Sequence, residues 1–317
     1  MRSAPFTIDQ RSRVSRICRR RLHGVAVPHG FRRPSLSASA APARHPRGGL
    51  IRKARIVWLS ALLVVLFSAG PVKADFAAGI AALERKDFAA AAKEFAPLAR
   101  GGRADAQFRL ALLYFDGRGV AQNHGTALRW FRAAATQGLA PAQYSLGFML
   151  QRGQGTPQNH GAATDWYRKA AEQGHLGAQI AIAAAYADGR GVGADARQAA
   201  KWYAVAAQAG SPRAQFNLGV LHAEGRGVEQ SFALAAKWFA SAAESGLVVA
   251  QHNLAILYAE GAGMPRDLIR AYMWFSVAVA GGHGDAALAR DAVAGRMTPE
   301  QIDVAEHLAR TWKAEPD

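Results

Sequence analysis

Cysteine is nearly absent from this sequence, because Cys18 is the only one among 317 residues. A disulfide within the chain is therefore excluded, and no thiol is left for catalysis or metal binding after residue 74. Signatures of catalysis are missing too, since the sequence contains no Ser-x-x-Lys, Gly-x-Ser-x-Gly or His-Glu-x-x-His. An enzyme needs converging acid–base groups, a nucleophile or metal ligands, so we expect no catalytic residue, no metal and no cofactor.

Acidic residues are almost lacking from the first 74 residues, where Asp9 stands against 15 lysines and arginines. Subtracting these from the totals of 39 basic and 23 acidic residues leaves 24 and 22 for residues 75–317, a net charge of +2. The net charge of +16 thus comes mainly from the start of the chain. A nucleic-acid-binding protein should carry positive charge on its folded domain, so we expect no nucleic acid as a partner.

The one long hydrophobic run covers the 12 residues Ile56–Phe67. It follows a basic stretch at residues 52–55 and precedes a small-x-small cleavage site at residues 72–74, as in a secretory signal peptide. Residues 51–74 are therefore predicted to be a signal peptide, with a mature start at Asp75. Twelve residues are short for a membrane span, which needs about 20. We expect the rest of the chain in the periplasm or secreted.

Residues 1–50 are rich in Arg, Pro, Ser and Ala, lack apolar periodicity and are predicted to be a disordered basic extension. Two interpretations of this segment stay open. Either translation starts further on, for example at the codon of Leu50, or these residues are a cytosolic tail before an uncleaved signal anchor in the inner membrane. The rest of the chain is exported in both cases, and the membrane is contacted only through the signal segment.

From residue 106 onward the sequence repeats every 36 residues. The dipeptide Ala-Gln marks the five copies, at Ala106, Ala142, Ala178, Ala214 and Ala250. A fixed period without insertions is typical of an array of stacked helix pairs, because a single pair cannot bury its apolar faces alone.

Each copy predicts two helices. With the alanine of Ala-Gln as position 1, apolar, small and mostly aromatic residues at positions 5, 6 and 9 define the face of a first helix. Glycines at positions 12 and 14 end it, and an Asn, Asp or Ser at position 18 is a strong N-cap for the second helix. A stripe of alanine and aromatic residues at positions 22, 25, 26 and 29 follows, and a glycine at position 33 ends the second helix. The tryptophans at position 25 are predicted to be core wedges: Trp130, Trp166, Trp202, Trp238 and Trp274.

The segments AQYSLGFMLQRGQGTPQNHGAATDWYRKAAEQGH and AQFNLGVLHAEGRGVEQSFALAAKWFASAAESGL resemble the Sel-1-like repeat (SLR), a relative of the tetratricopeptide repeat. The resemblance covers residues 106–285, which read as five such repeats. It implies an all-α fold, a right-handed α-solenoid of stacked antiparallel helix pairs. It also implies an adaptor role, since SLR proteins typically assemble protein complexes.

The two ends are predicted to be atypical, as array ends usually are. Residues 75–105 read as a tetratricopeptide-like repeat, with Asp87 as an N-cap and without the glycine-pair loop. Residues 286–317 are predicted to be capping helices that close the array with a more polar face. Within them, the capping box at residues 298–301 should open a helix reaching about Trp312.

Two weak site patterns each leave two interpretations. His124 and His160 occupy equivalent loop positions and would hold a metal if they faced each other, or they are solvated loop histidines. Acidic residues precede the loop glycines in four repeats and would either bind a cation or basic peptide or only solvate the helix end. These are Asp116, Asp188, Glu224 and Glu260, and Arg152 interrupts the row.

In tetratricopeptide arrays the first helix of each pair lines a concave groove, and the shared core pattern maps positions 3, 7 and 10 near it. This row is apolar and aromatic, which suits an apolar or helical partner segment, and position 4 adds polar groups. Several of these residues must instead pack between repeats, and the two roles stay unseparated. The predicted partner-binding residues are Phe108, Arg109, Leu112, Tyr144, Phe148, Phe216, Asn217, Val220, His252, Asn253 and Ile256.

These features predict an exported, non-enzymatic scaffold that binds other proteins or peptide segments on the concave face of a helical array. The alternative is a periplasmic module that binds a glycan or small ligand through groove aromatics. A cell-wall or β-lactam hydrolase ranks below both.

Overall fold

The computed structural model describes residues 74–314, which form fourteen helices and no strand. The helices are α1 (Phe76–Glu84), α2 (Phe88–Arg100), α3 (Ala104–Asp116), α4 (His124–Thr136), α5 (Ala140–Arg152), α6 (His160–Glu172), α7 (Leu176–Asp188), α8 (Ala196–Gln208), α9 (Pro212–Glu224), α10 (Phe232–Glu244), α11 (Val248–Glu260), α12 (Leu268–Ala280), α13 (Ala286–Ala294) and α14 (Pro299–Thr311). The prediction of an all-α solenoid of 36-residue helix pairs is confirmed. The predicted extension and signal peptide lie outside the described residues, except for Ala74.

The chain divides into two compact units after Ala133, near the end of α4. The described part of the first unit is residues 74–133, and that of the second is residues 134–314. Among these residues, no helix has both the length and the hydropathy needed to cross a membrane.

The second helix of each repeat begins at the predicted N-cap. In all five repeats the side-chain oxygen at position 18 accepts a hydrogen bond from the backbone N–H three residues later, at 2.8 to 3.2 Å. The backbone N–H of the same residue donates to the carbonyl at position 9, so the cap also closes the loop. Each cap thus fixes the start of one helix and its distance from the preceding one, because two otherwise unpaired groups are satisfied together.

The glutamine of Ala-Gln has a structural role that the repeat pattern did not disclose. All five are buried, and each Nε2 donates to a backbone carbonyl in the last turn of the preceding second helix, at 3.1 to 3.4 Å. The acceptors are Ala99, Ala135, Ala171, Ala207 and Ala243. Each of these carbonyls also accepts from the backbone N–H three residues later, so the glutamine adds a second hydrogen bond, which links one repeat to the next.

The two loop glycines have different structural roles. The glycine at position 12 has a φ of 67 to 70° and ends the first helix in the left-handed region. The glycine at position 14 allows close backbone contact as well: a Cβ on Gly227 would lie 2.2 Å from the backbone carbon of Ala196 at the start of α8. Gly191 meets His160 in the same way, and Gly263 meets Phe232. The loop of one repeat therefore rests directly on the preceding second helix.

The prediction that the tryptophans are core wedges holds in full only for Trp274, whereas Trp130, Trp202 and Trp238 pack against the core while staying partly exposed. Trp274 is 8% exposed, but the other four are only half-buried. The buried wedges are the neighbouring rings at position 26, which are 5% exposed or less: Phe131, Tyr167, Tyr203, Phe239 and Phe275. These rings face the first helix of their own pair, as shown by Gly219, where a Cβ would lie 2.7 Å from the ring of Phe239. A residue one position away on a helix points about 100° elsewhere, and Trp238 packs there against the apolar cluster of α7, α8 and α9.

Helices also form at both ends of the array. Asp87 caps α2 by accepting from the N–H of Ala90, and Thr298 and Gln301 form the predicted capping box of α14. Two large apolar side chains are exposed in these last helices, Leu288 at 75% and Val304 at 50%. Trp312 packs edge-on against Trp274, with ring centroids 5.5 Å apart.

Candidate functional site

None of the predicted partner-binding residues is fully exposed. Phe108, Leu112, Phe216, His252, Asn253 and Ile256 are buried, at 2 to 8% exposure. Arg109, Tyr144, Phe148, Asn217 and Val220 are half-buried. A partner would therefore meet edges of these side chains and not their full surfaces.

The rings at position 3 pack within their own repeat. Each contacts the wedge at position 26, with ring centroids 5.3 to 5.8 Å apart. The pairs are Phe108–Phe131, Tyr144–Tyr167, Phe216–Phe239 and His252–Phe275. Aromatic contacts at this distance stabilise a core beyond the area they bury. Most of position 3 is thus part of the core, which is one of the two roles that the sequence left open.

Polar residues at position 4 also interact within the protein. The amide nitrogen of Asn253 donates to the carbonyl of Val249 in its own helix at 2.8 Å. Burial lowers the pKa of Arg109, and the charge of Asp105 partly offsets this. Position 4 therefore offers fewer groups to a partner than its sequence suggests.

A cavity of about 50 Å³ lies between α5, α6 and α7 in the second unit. Its lining includes Tyr144 and Phe148 of α5, Tyr167 of α6 and Arg213 at the start of α9. A cavity needs roughly 10–15 Å³ to hold one water on this measure, so this one admits a few waters or the end of a side chain. Two of the predicted partner-binding residues, Tyr144 and Phe148, thus line one opening.

Small residues on α7 create this cavity. Gly177, Ala181 and Ala184 line it, whereas the other repeats carry larger residues at the same positions. Position 7, for example, is alanine only in Ala184 and is Leu112, Phe148, Val220 and Ile256 elsewhere. The small side chains leave space beside Tyr144 and Phe148, and Gly177 lets Tyr144 lie only 3.2 Å from where a Cβ would be.

Polar groups of the cavity are held by hydrogen bonds within the protein. The Tyr167 hydroxyl donates to Oε1 of Gln151 at 2.7 Å, and the Thr164 hydroxyl lies within hydrogen-bond distance of the carbonyls of His160 and Arg190. Burial raises the pKa of Tyr167, with Tyr144 adding to the effect and Arg152 opposing it. Neither group is placed as an acid or base at neutral pH, because the phenol stays protonated.

Two arginines line the cavity, Arg190 and Arg213. Burial raises the pKa of Tyr144, and the charge of Arg213 acts in the opposite direction. Arg152 lies 5.7 Å from the ring centroid of Phe148. The acidic residue at the rim, Asp188, is paired with Arg190 at 3.0 Å. The lining of the cavity thus carries charges of both signs.

The row of acidic residues before the loop glycines is largely neutralised. Asp116, Asp188 and Glu224 each pair with an arginine two residues later, at 3.0 to 3.6 Å. Pairing with a neighbouring arginine thus explains these acidic residues more simply than a bound cation or basic peptide does. Among the described residues, no cluster of three or more His, Cys, Asp or Glu side chains has metal-binding geometry. The ring of His124 packs against Phe115, with centroids 5.2 Å apart.

The residues that sequence reasoning missed are the small ones of α7, the two arginines and the buried glutamines. A signal for the cavity exists in the sequence, since the third repeat is the one with glycine or alanine at positions 0, 4 and 7 together. These small residues indicate a cavity only when it is known which helices pack around them, and that information comes from the three-dimensional structure.

Comparison with known proteins agrees with this architecture. The family model of the Sel1 repeat matches residues 104–139, 140–175, 177–211, 212–247 and 248–283, which is more than half of the chain. The chain belongs to the Sel1 repeat family. Sel1 repeat proteins generally act as protein–protein interaction scaffolds, and their fold is typically non-catalytic.

Two solved Sel1-type structures are similar to this one. A Sel1 repeat protein from Oxalobacter formigenes is 30% identical, with a TM-score of 0.66, and the match covers 75% of this chain and all of that protein. The protein c5321, a protective antigen present in uropathogenic Escherichia coli strains and displaying an SLR fold, is 31% identical, with a TM-score of 0.51. That match covers 72% of this chain and 57% of c5321. No curated protein is similar enough to count as a match.

Proposed function

We propose that this Sel1 repeat protein is an exported scaffold that binds a segment of a partner protein along the first helices of its pairs. The cavity lined by Tyr144 and Phe148 carries this proposal, because it is an opening with both apolar and polar walls at residues predicted to contact a partner. Openings of this kind hold the anchoring side chain of a bound segment. The general role of Sel1 repeats in protein–protein interaction supports it.

The proposal includes no catalysis. The polar side chains that an enzyme would use are committed to structure: the hydroxyl of Tyr167 to Gln151, that of Thr164 to backbone carbonyls, and the carboxylate of Asp188 to Arg190. A catalytic group needs to reach substrate and to have a pKa suited to proton transfer. These contacts favour binding over chemistry.

Export is supported at the predicted cleavage site. Asp75, the predicted first residue of the mature protein, caps α1 by accepting from the N–H of Ala77 at 2.9 Å. Its backbone nitrogen lies 3.1 Å from a carboxylate oxygen of Glu94. Cleavage before Asp75 would turn that nitrogen into an ammonium group and the contact into an ion pair.

Mass spectrometry of the protein recovered from the cell envelope tests the export proposal. We expect a mature chain that begins at Asp75. A chain that keeps residues 51–74 but is accessible to protease added outside the cytoplasm would support the signal-anchor form. Recovery of the whole chain in the cytoplasm would contradict export.

The scaffold proposal is tested by affinity capture of the tagged full-length protein from its native cells after mild cross-linking. We expect one stoichiometric partner, which is lost when Phe148→Glu or Val220→Glu places a charge on the first helices. The control is Val205→Glu, since Val205 is 40% exposed on the second helix α8. Circular dichroism would establish that all three variants are folded.

Capture of no protein, or equal capture by all three variants, would contradict the scaffold proposal. Binding of a glycan in place of a protein would favour the ligand-binding alternative. The aromatic walls of the cavity would then be its binding surface.

A further inference from the structure

Two histidine rings lie face to face in the fifth repeat. His252, at position 3 on α11, stacks on His283, with ring centroids 4.2 Å apart and ring planes 10° from parallel. His252 is only 2% exposed, and its ring also meets Phe275 of α12 edge-on, with centroids 5.3 Å apart. Histidine is the side chain whose charge ordinarily changes between about pH 5 and 8. This packed contact can therefore change its charge within the physiological range of pH.

His283 joins α12 to α13. Its backbone N–H donates to the carbonyl of Ala278 at 2.9 Å, and its own carbonyl accepts from the N–H of Ala286 at 3.1 Å. The helix that follows is weakly anchored, since only Ala286 and Val293 are buried among the 9 residues of α13. Both belong to one apolar cluster with residues of α11 and α12. The placement of the His283 ring is thus coupled to a short helix with few buried side chains.

The second repeat contains the same contact with one histidine only. There Tyr144 occupies position 3, and its ring stacks on His175 at position 34, with centroids 4.7 Å apart. Protonation of His175 would place one charge beside a neutral ring. In the fifth repeat both rings can be charged, and two positive charges at 4.2 Å repel each other. Double protonation is therefore opposed while the rings are stacked and is allowed once they separate.

The charged groups around the stack leave this repulsion in place. On α11 itself the charged residue besides His252 is Glu260, at the opposite end of the helix. The elements next to the stack are α10, α12 and α13, and their charged residues are Lys237, Glu244, Arg270, Asp285, Arg290 and Asp291. Arg270 pairs with Asp267, and Arg290 pairs with Asp291. Glu244 and Asp285 are exposed carboxylates that would favour a first proton on the histidines, but a second proton still meets the charge of the first.

We propose that the stack of His252 and His283 is an acid-sensitive latch, which holds α13 on the fifth repeat at neutral pH and releases it as the pH falls. Histidines in an open chain become protonated below about pH 6.5. In that range the released form binds one more proton than the stacked form, so a fall in pH favours release. Release uncovers apolar surface of α11 and α12 that Ala286 and Val293 cover. The latch does not depend on what the first helices bind.

Hydrogen exchange of the full-length protein, followed by mass spectrometry from about pH 7.5 to about pH 5, tests the latch. Exchange rates are divided by the intrinsic rate of an unstructured chain at each pH, which gives the protection of each helix. We expect the protection of α13 to fall by up to about tenfold per pH unit below pH 6.5, as one extra proton in the released form requires. The internal control is α10, which contains no histidine and should keep its protection.

His252→Tyr is the decisive variant, because it recreates the pair that Tyr144 forms with His175. It keeps a stacked ring but leaves one histidine, so at pH 5 the protection of α13 should be about tenfold higher than in the unchanged protein. If this variant does not fold, His283→Leu takes its place, since Leu139 and Leu247 occupy position 34 in two other repeats. The matched control is His307→Gln on α14, where the histidine is exposed and outside the stack. That variant should respond to pH as the unchanged protein does.

Three outcomes would overturn the latch: protection of α13 that does not change with pH, an equal loss of protection in folded His252→Tyr, or a parallel loss in α10. The first would show that the stack tolerates acid, and the second that another group senses it. The third would show a loosening of the whole array in place of a release of α13. None of these outcomes bears on the capture experiment, which tests binding to the first helices.

Discussion

Phe239 and Trp238 are neighbours in the sequence with different surroundings. Phe239 is fully buried against Gly219, whereas Trp238 is half-buried against the apolar cluster of the preceding helices. Side-chain size and hydrophobicity alone would rank the tryptophan first as a core residue. The ranking reverses because helical phase decides which of two adjacent aromatic residues faces the first helix.

Truncation of these two residues should therefore differ in cost. We expect Phe239→Ala to lower the free energy of unfolding by about 3–5 kcal/mol, as for other large core side chains. Trp238→Ala should cost roughly 1–2 kcal/mol, because much less of its surface is buried. Urea titration followed by circular dichroism measures both. Equal losses of unfolding free energy, or a larger loss for Trp238→Ala, would contradict the assignment of the position-26 ring as the buried wedge.

His175 connects the cavity region to pH. It is the N-cap of α7, where its Nδ1 accepts from the N–H of Ala178 at 3.2 Å, and its ring stacks on Tyr144 at 4.7 Å. Burial lowers the pKa of His175 below its ordinary value. Protonation would also remove the lone pair that accepts the hydrogen bond.

This lowered pKa sets the direction of a pH effect. Below about pH 6.5 the unfolded chain takes up a proton at this residue that the folded protein resists, so the stabilisation present at neutral pH is lost as the pH falls. We expect His175→Asn, which keeps an N-cap acceptor, to show a smaller drop in thermal midpoint between pH 8 and pH 5 than the unchanged protein. Identical drops would show that His175 does not contribute.

At the scale of the helices and loops, the glycine at position 14 is where the backbone of one repeat contacts that of the preceding repeat. Gly227 and Gly210 both have positive φ, at 72° and 84°. A Cβ on Gly227 would overlap the backbone of Ala196, whereas one on Gly210 would meet nothing within 4 Å. Comparing these two glycines therefore separates the energetic cost of backbone strain from that of close packing.

Alanine substitution at these two glycines tests that separation. Gly210→Ala should cost roughly 1–2 kcal/mol, the usual penalty of a left-handed conformation for a residue with a Cβ. Gly227→Ala should cost about 1–3 kcal/mol more, because the repeats must also move apart. Thermal unfolding of both variants measures the difference. Equal losses of stability would contradict a close contact between repeats through this loop.

Local features of these elements were predictable from the sequence. Position 18 was recognised as an N-cap because the capping bond lies within three residues, and the glycines at positions 12 and 33 because positive φ is a property of one residue. The role of Gln215, by contrast, depends on the carbonyl of Ala207 in another helix. Nothing within its own repeat indicates that acceptor.

At the scale of the whole molecule, the period of 36 residues was enough to predict an array of helix pairs, since only stacking buries both faces of each pair. The candidate site was predicted only in part. Tyr144 and Phe148 were named from the repeat pattern, but Phe216 and His252 follow the same pattern and are buried in the core. The difference comes from side-chain volumes on α7, and these act only after α5, α6 and α7 are packed together.

The central claim is that a partner lies along the first helices, and photo-cross-linking in native cells tests it most directly. A photoreactive benzophenone side chain would replace Phe148 or Val220 on the first helices, and Val205 or Leu234 on the second helices, where both residues are exposed. We expect the first two positions to form an adduct with one and the same protein and the latter two to form none with it. Adducts of that protein from Val205 and Leu234 alone would contradict the account.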